Sequence, residues 1–113
     1  MITVIISEAP YGRERAYSAL RFALTALLEG EDVRIFLIED GVYVAKEGQD
    51  PDEMPDHLEL LRQCIEQGAE VKACGPCSKA RGITEDDLID GVELATMHDL
   101  VSWVRESDNV IFF

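Results

Sequence analysis

The sequence predicts an α/β fold in which a mainly parallel sheet is covered by helices on both faces. Runs of apolar, β-branched residues alternate along the chain with segments of helical periodicity. The first two runs, residues 2–6 and 33–38, lack the regular polar alternation of a half-exposed strand, which is typical of strands buried on both faces. Strands that are joined by single helical crossovers pair in parallel.

Five segments are predicted strands, and together they would form one sheet. They cover residues 2–6, 33–38, 69–73, 91–94 and 110–113. The second strand ends at Glu39-Asp40-Gly41, and the stretch 42–55 that follows has no regular pattern. Repeats, linkers and low-complexity tracts are not evident, so we expect residues 1–113 to form a single domain.

Three segments have the spacing of amphipathic helices. The first has apolar residues from Ala16 to Leu28 at i, i+3, i+4 and i+7, and it ends before Gly30. Capping patterns predict the starts of the other two, where Asp56 precedes Glu59 and Thr96 precedes Asp99. Thr84 and Asp87 form a similar pair for a short helical turn. The expected inner faces of the second and third helices consist of Leu58, Leu61, Cys64 and Ile65, and of Met97, Leu100, Val101 and Val104.

The charge balance limits the partners that the protein could have. The chain contains 23 Asp and Glu against 10 Lys and Arg, a formal net charge of -13. Such a field repels nucleic acid and anionic lipid surfaces, so neither is an expected partner. The apolar run at the N-terminus is short and lacks a basic flank, and three cysteines do not suit a disulfide framework. These features predict a cytoplasmic protein.

The predicted topology places a cysteine pair where a ligand site is expected. Parallel α/β sheets bind their ligands beyond the carboxyl ends of the strands. The predicted loops at that edge are residues 7–12, 39–41, 74–82 and the region around 95–96. Cys74-Gly75-Pro76-Cys77 follows the third strand and therefore belongs to this edge.

Three functional interpretations of Cys74 and Cys77 compete with a purely structural one. Zinc is disfavoured because His57 and His98 have no partner at ligand spacing and Cys64 stands alone on an apolar face. We therefore expect no metal and no cofactor. A thioredoxin-like redox pair matches the spacing, but the motif follows a third strand and lacks the flanking Trp and the cis-proline loop. A persulfide carrier needs an accessible thiolate at a strand end. The fourth interpretation is core packing, which we expect for Cys64.

Five separated blocks of the sequence occur together in one known family. They are A-P-Y-G at 9–12, R-I-F-L-I-E-D-G-V at 34–42, V-K-A-C-G-P-C-S-K-A-R-G-I at 71–83, L-I-D-G-V-E-L-A-T at 88–96 and D-N-V-I-F-F at 108–113. In this order they resemble the DsrE/DsrF-like sulfur-relay family, most closely its YchN-like branch. The resemblance implies a three-layer α/β/α fold, flavodoxin-like in appearance, and homo-oligomers such as trimers or hexamers.

The resemblance also implies roles for individual residues. The cysteine that receives a persulfide in relay members such as the TusD-like subunits maps onto Cys74. Cys77 departs from that relay pattern, and it could let the site cycle as a disulfide or release sulfide. A relay protein would exchange sulfur with a protein donor and a protein acceptor.

Four further residues are candidates for supporting roles at this edge of the sheet. Tyr11 and Gly12 are expected to open the first helix, where their amides could hold an anion. Asp40 lies in a turn beside the site, and Arg81 could stabilise a thiolate or persulfide. The two histidines are expected at the surface or in capping turns.

The function predicted from the sequence is that of a small persulfide carrier, with Cys74 as the sulfur acceptor and Cys77 as a modulating or resolving thiol. Two alternatives remain open at this point. One is a non-catalytic oligomeric binding or assembly module, and the other is a thiol–disulfide oxidoreductase.

Overall fold

The computed structural model describes residues 1–53 and 55–113. Their strands form a sheet of order β4-β3-β2-β1-β5 in which neighbouring strands run parallel. The strands are β1 (Ile2–Ile6), β2 (Val33–Leu37), β3 (Glu70–Cys74), β4 (Val92–Ala95) and β5 (Asn109–Phe112). The predicted mainly parallel, five-stranded sheet is therefore confirmed.

Helices cover both faces of this sheet. They are α1 (Arg15–Leu28), α2 (His57–Glu66), α3 (Gly75–Ala80) and α4 (Met97–Glu106). Helices α1 and α2 pack against each other on one face, where the Cys64 thiol of α2 points at the Leu20 carbonyl of α1. Helix α4 lies on the other face, where Trp103 meets Phe36 of β2 edge-on at 5.7 Å. The three-layer arrangement follows from this division.

Capping interactions start the helices where the sequence predicted them. The Asp56 carboxylate accepts a hydrogen bond from the Glu59 amide at 3.1 Å, which satisfies a free N–H of the first turn of α2. Thr96 and Asp99 form a reciprocal capping box at the start of α4. A second box, formed by Thr84 and Asp87, opens a 3-10 helix over Glu85–Asp87. All three predicted caps are confirmed.

The predicted inner faces of α1 and α2 are buried or partly buried except at Leu28, which is exposed at the end of α1, but that of α4 differs more. Leu100 is buried as expected, together with Trp103, whereas Met97, Val101 and Val104 are exposed. The apolar surface of α4 is wider than the strip that meets the sheet, so the pattern alone could not show which part of it packs.

Two other positional predictions were wrong. His57 is fully buried rather than a surface or capping-turn residue, because as the first residue of α2 it packs beside the rings of Tyr11 and Tyr17. Tyr11 and Gly12 do not open α1, which begins at Arg15 with Glu14 as its N-cap.

The segment after β2 is more regular than the sequence suggested. A 3-10 helix covers Glu39–Ala45 and packs against α2, α3 and β3. Gly41 in this helix lies so close to β1 that a Cβ atom there would be 2.0 Å from the Ile6 carbonyl oxygen. Only a residue without a side chain fits, so Gly41 fixes the 3-10 helix against the carboxyl end of β1.

Candidate functional site at the carboxyl edge of the sheet

Cys74 is the last residue of β3 and stands immediately before α3. It pairs in register with Ala95 of β4, and its side chain is buried, with 5% of the residue exposed. Its carbonyl oxygen accepts a hydrogen bond from the buried Ser78 hydroxyl at 2.8 Å. Sheet pairing on one side and this hydrogen bond on the other fix the backbone that carries the first thiol.

Cys77 lies one helical turn further along, in α3, and is only partly buried. Its sulfur accepts a hydrogen bond from the backbone N–H of Glu39 at 3.2 Å. An amide donor of this kind stabilises negative charge on a sulfur atom. The second thiol of the pair is thus the more accessible one, and it is also the one that receives a main-chain donor.

The residue that supplies this amide, Glu39, has a left-handed backbone with φ of 51°. Non-glycine residues adopt this region at a cost of about 1–3 kcal/mol and are enriched at functional sites. The chain before and after Glu39 is held to β1, since the Ile38 amide donates to the Ile6 carbonyl at 3.0 Å and Gly41 abuts the same carbonyl. The strained amide is therefore held by the fold.

Asp40 and Arg81 form an ion pair over the Cys77 segment. The Arg81 Nε donates to Asp40 Oδ1 at 2.9 Å, and Nη2 lies 2.9 Å from the same oxygen. The Arg81 Nη1 donates to the Cys77 carbonyl at 3.0 Å. The hydrogen bond to Asp40 raises the pKa of Arg81, and the nearby Cys77 thiol adds to that effect. The guanidinium thus connects the 3-10 helix to α3.

The two thiols differ in their electrostatic surroundings. Burial is the main cause that raises the pKa of Cys74, and a hydrogen bond with the Cys77 side chain raises it further. The Cys77 backbone N–H and the positive charge of Arg81 act in the opposite direction and do not cancel the increase. Cys74 therefore holds its proton more tightly than an ordinary thiol, and Cys77 lies close enough to contribute to this effect. The chemistry open to this arrangement is nucleophilic attack by Cys77, with Cys74 as a close second thiol.

Tyr11 lines a separate depression beside this group. A cavity of about 300 Å³ lies between the turn 9–11 and residues 43–49, and the Tyr11 hydroxyl donates to Gln49 Oε1 at 2.7 Å across it. Gln49 in turn donates to three carbonyls near the end of the 3-10 helix. Gly12 lies in open space in the same turn. Among the described residues, no hydrogen bond or ion pair joins Tyr11 or Gly12 to the cysteines.

Metal ligands do not assemble in the part of the chain that the structure describes, where no group of three His, Cys, Asp or Glu side chains could hold an ion. His57 lies among aromatic rings, and His98 is exposed on α4. Within residues 1–53 and 55–113, no helix combines the length and apolarity needed to span a bilayer.

The sequence profile that defines the DsrE/DsrF-like family matches residues 1–113. The chain belongs to the DsrE/DsrF-like family. It is similar to YchN of Escherichia coli, whose crystal structure superposes with a TM-score of 0.92 at 38% identity and covers 99% of this chain and 97% of that one. An uncharacterised protein of Methanopyrus kandleri is 80% identical over 113 residues, which is all of this chain and 93% of the relative. The sulfurtransferase TusD of Cronobacter sakazakii is 30% identical over 127 residues, 98% of each chain.

This DsrE/DsrF-like chain brings together four of the six residues that the sequence singled out. Cys74, Cys77, Asp40 and Arg81 form one contacting group, whereas Tyr11 and Gly12 lie apart from it. Sequence reasoning missed the Glu39 amide and the Ser78 hydroxyl. A main-chain donor leaves no mark in the side-chain sequence, so Glu39 could be noticed only through its place at the end of a buried strand.

Proposed function

We propose that this protein carries sulfane sulfur on the Cys74–Cys77 pair. The observation that supports this proposal most strongly is the placement of two neighbouring thiols, one amide donor and one guanidinium at the carboxyl edge of a parallel sheet. Family membership supports it as well, since one of the relatives is named as a sulfurtransferase. Gly75 and Pro76, which separate the two cysteines, have no polar side chain that could hydrogen-bond a cysteine sulfur.

The transfer step is a displacement at the sulfane sulfur of a donor. A cysteine thiolate attacks the outer sulfur of a donor persulfide, R–S–SH, so that a new protein S–S bond forms and the donor leaves as the thiolate R–S⁻. A thiol of an acceptor then attacks the outer sulfur of the protein persulfide and restores the cysteine. No net oxidation occurs in either step.

The surroundings of Cys77 suit a sulfur anion. The Glu39 amide points at the thiol sulfur, and the Arg81 guanidinium, which Asp40 holds in place, contacts the carbonyl of the same cysteine. Both groups would stabilise the thiolate before attack and the persulfide anion after it. Tyr11 borders the neighbouring cavity, which could accept the donor's organic part, whereas Gly12 does not line it.

Homo-oligomerisation belongs to the same proposal. Five apolar side chains stay exposed on the α4 side of the sheet, and we call them the apolar patch: Met97, Val101, Val104, Val110 and Phe112. The parallel register aligns Val110 with Thr3, whose hydroxyl contacts Ser107 at the end of α4, so the strand and helix parts of the patch lie on one side. Exposed apolar patches of this kind mark interaction sites, and a second copy of the chain would cover this one.

The partners and compartment follow from the chemistry. A carrier exchanges sulfur with a protein donor and a protein acceptor, and its thiols must stay reduced, which places its work in the cytoplasm. The three cysteines are free in the structure.

The deciding experiment measures sulfur addition directly. Reduced protein is treated with a low-molecular-weight persulfide and alkylated at once, and its intact mass is measured by mass spectrometry. The wild type is compared with Cys74→Ser and Cys77→Ser. Addition that depends on the pair supports the carrier, and Cys64→Ser is the matched control because Cys64 lies in the core. If the wild type takes up no sulfur but turns over a model disulfide, the protein is a thiol–disulfide oxidoreductase. Inertness in both assays would leave a binding or assembly module.

A further inference from the structure

The two cysteines of the motif differ in exposure in a way that orders their roles. Cys74, which the family resemblance suggests as the acceptor, is 5% exposed and closes the end of a buried strand. Cys77 is half-buried, receives the Glu39 amide, and lies beside the guanidinium of Arg81. A donor molecule approaching from solvent meets the Cys77 sulfur first.

We propose that Cys77 receives the sulfur and that Cys74 resolves the resulting persulfide, so that the pair releases sulfide and closes as a disulfide. This inference rests on the proposed function, because it requires that the protein accepts sulfane sulfur at all. Beyond the proposed function, the protein would convert a persulfide into sulfide, and the two cysteines would act in a fixed order.

The chemistry balances in two steps. The Cys77 thiolate attacks the outer sulfur of R–S–SH, giving Cys77–S–SH and R–S⁻. The Cys74 thiol, losing its proton, then attacks the inner sulfur of that persulfide, so that a Cys74–Cys77 disulfide forms and HS⁻ leaves. The two cysteines are oxidised by two electrons and the sulfane sulfur is reduced to sulfide. A dithiol reductant from the cell would return the disulfide to the starting pair.

Several contacts favour the second step over escape of the persulfide to another protein. The i and i+3 spacing places both thiols on one side of the first turn of α3, and the Cys77 thiol and amide both act on the pKa of Cys74. The Ser78 hydroxyl holds the Cys74 carbonyl from the next turn, which keeps the thiol at the strand end. An external acceptor must diffuse to the persulfide, whereas Cys74 already lies at the start of the same helical turn.

Burial also explains why the reverse order is disfavoured. A thiol that is neutral and 5% exposed offers little thiolate to an external donor, but proximity compensates for low nucleophilicity in an attack on its neighbour. The same burial shields Cys74 from solvent reagents.

A single-turnover experiment tests the order of the two thiols. Reduced, desalted full-length protein is mixed with an equimolar amount of glutathione persulfide, and trapped sulfide and intact mass are followed in parallel after rapid alkylation. The wild type is expected to release sulfide and to form a disulfide that resists alkylation at both residues. Cys74→Ser is expected to keep one extra sulfur atom on Cys77 and to release sulfide at least about tenfold more slowly. Cys77→Ser is expected to lose both addition and release, and Cys64→Ser to behave as the wild type.

Each other outcome has a distinct meaning. A wild type that holds a stable extra sulfur without releasing sulfide would overturn the inference and leave the sulfur carrier intact. Addition to Cys77→Ser but not to Cys74→Ser would reverse the order and overturn it too. Rapid sulfide release from Cys74→Ser, with the donor's glutathione retained in the mass, would show attack at the donor's inner sulfur and refute the resolving role. The absence of any added sulfur or sulfide in all four proteins would instead reject the proposed function.

Discussion

Arg81 contacts a single carboxylate oxygen of Asp40 through two of its nitrogens, Nε and Nη2, each at 2.9 Å. The same guanidinium donates from Nη1 to the carbonyl of Cys77. Its positive charge is therefore partly neutralised by Asp40, and it also lies within electrostatic range of the Cys77 thiol. Changing either end of the ion pair should change the reactivity of the thiol, and in opposite directions.

Removing the positive charge of Arg81 should slow the alkylation of Cys77, and removing the negative charge of Asp40 should make it faster. In Arg81→Gln the sulfur loses a nearby positive charge, so iodoacetamide should alkylate Cys77 roughly threefold more slowly near neutral pH. In Asp40→Asn the guanidinium charge is no longer balanced, and alkylation should become faster by a similar factor. The rates are measured by timed alkylation and peptide mass analysis.

Arg62→Gln is the control for these two variants. Arg62 forms an exposed ion pair with Glu47 at 3.6 Å, away from the cysteines, so its loss should leave the Cys77 rate unchanged. Changes of the same sign in Arg81→Gln and Asp40→Asn would show that the pair acts on the shape of α3 rather than on charge.

The three cysteines should react with alkylating agents in a fixed order. Cys77 should react first and Cys74 later. Cys64 should stay unmodified while the protein is folded, because it is fully buried and burial raises its pKa to about 12. Burial raises the pKa of Cys74 above the ordinary value of 9.0, so its rate should still be increasing with pH above about 10, where a thiol of ordinary pKa is close to its limiting rate. In urea the three rates should converge. Native-state alkylation of Cys74 before Cys77 would contradict the exposure on which the reaction order depends.

Gly41 should tolerate no side chain. In Gly41→Ala the new Cβ would lie 2.0 Å from the Ile6 oxygen, so the 3-10 helix must move away from β1. We expect a loss of roughly 2–4 kcal/mol in the free energy of unfolding, measured by urea denaturation. The Glu39 amide would move as well, and Cys77 alkylation should change in the fraction that remains folded.

Gly12 provides the matched glycine for this test. A Cβ at position 12 meets nothing within 4 Å, so Gly12→Ala should change stability by less than about 1 kcal/mol, in either direction. Equal stability of the two alanine variants would mean that the close approach of Gly41 to β1 is absent in solution.

The order of the elements and the location of the site could be predicted from the sequence because both depend on local patterns. Capping pairs such as Thr96 and Asp99 determine where a helix starts, and the alternation of strands and helices places Cys74 at the carboxyl edge. The roles that we propose for the two thiols could not be predicted from the sequence, because they are argued from exposure and from the Glu39 amide. That amide comes from a segment 38 residues away in the chain.

The exposure of some residues was predicted wrongly because it depends on how separate elements pack against each other. His57 follows a helix cap, which is ordinarily an exposed place, but the turn before α1 folds over it and adds the ring of Tyr11 at 4.9 Å. The outward part of α4 looks like core in the sequence, since Val101 and Val104 have the spacing of a packed face. A single chain carries no signal that separates a face buried in the monomer from one left for a partner.

His57 should make the protein sensitive to mild acid. Burial lowers the pKa of His57 below its ordinary 6.5, and the nearby Asp56 opposes that change only in part. The unfolded chain therefore takes up the proton first, so stability is fully present above pH 6.5 and is lost as the pH falls towards the folded pKa. The loss from this group cannot exceed about 1.4 kcal/mol per pH unit.

Replacing the imidazole by a ring that cannot be protonated tests this assignment. His57→Phe keeps an aromatic ring beside Tyr11 and Tyr17, and its melting temperature should fall less than that of the wild type between pH 7.5 and 5.5. His98→Gln, at an exposed position of α4, should retain the acid sensitivity of the wild type. An unchanged pH dependence in His57→Phe would assign the acid response to other groups.

The apolar patch should control the oligomeric state. Phe112 is 57% exposed on the edge strand β5, and Val101 is 49% exposed on α4. A glutamate at either position would have to be desolvated at an interface between copies, whereas in the monomer it would remain in water. Phe112→Glu and Val101→Glu should therefore weaken self-association at least about tenfold, seen as a later elution volume and a smaller mass in light scattering. Leu28→Glu, which changes a 67% exposed residue of α1 on the opposite face, should leave the mass as in the wild type. A wild type that is monomeric at micromolar concentration would rule out the self-association that the patch suggests, and Val101 and Phe112 would then be available for the protein donor or acceptor of the sulfur.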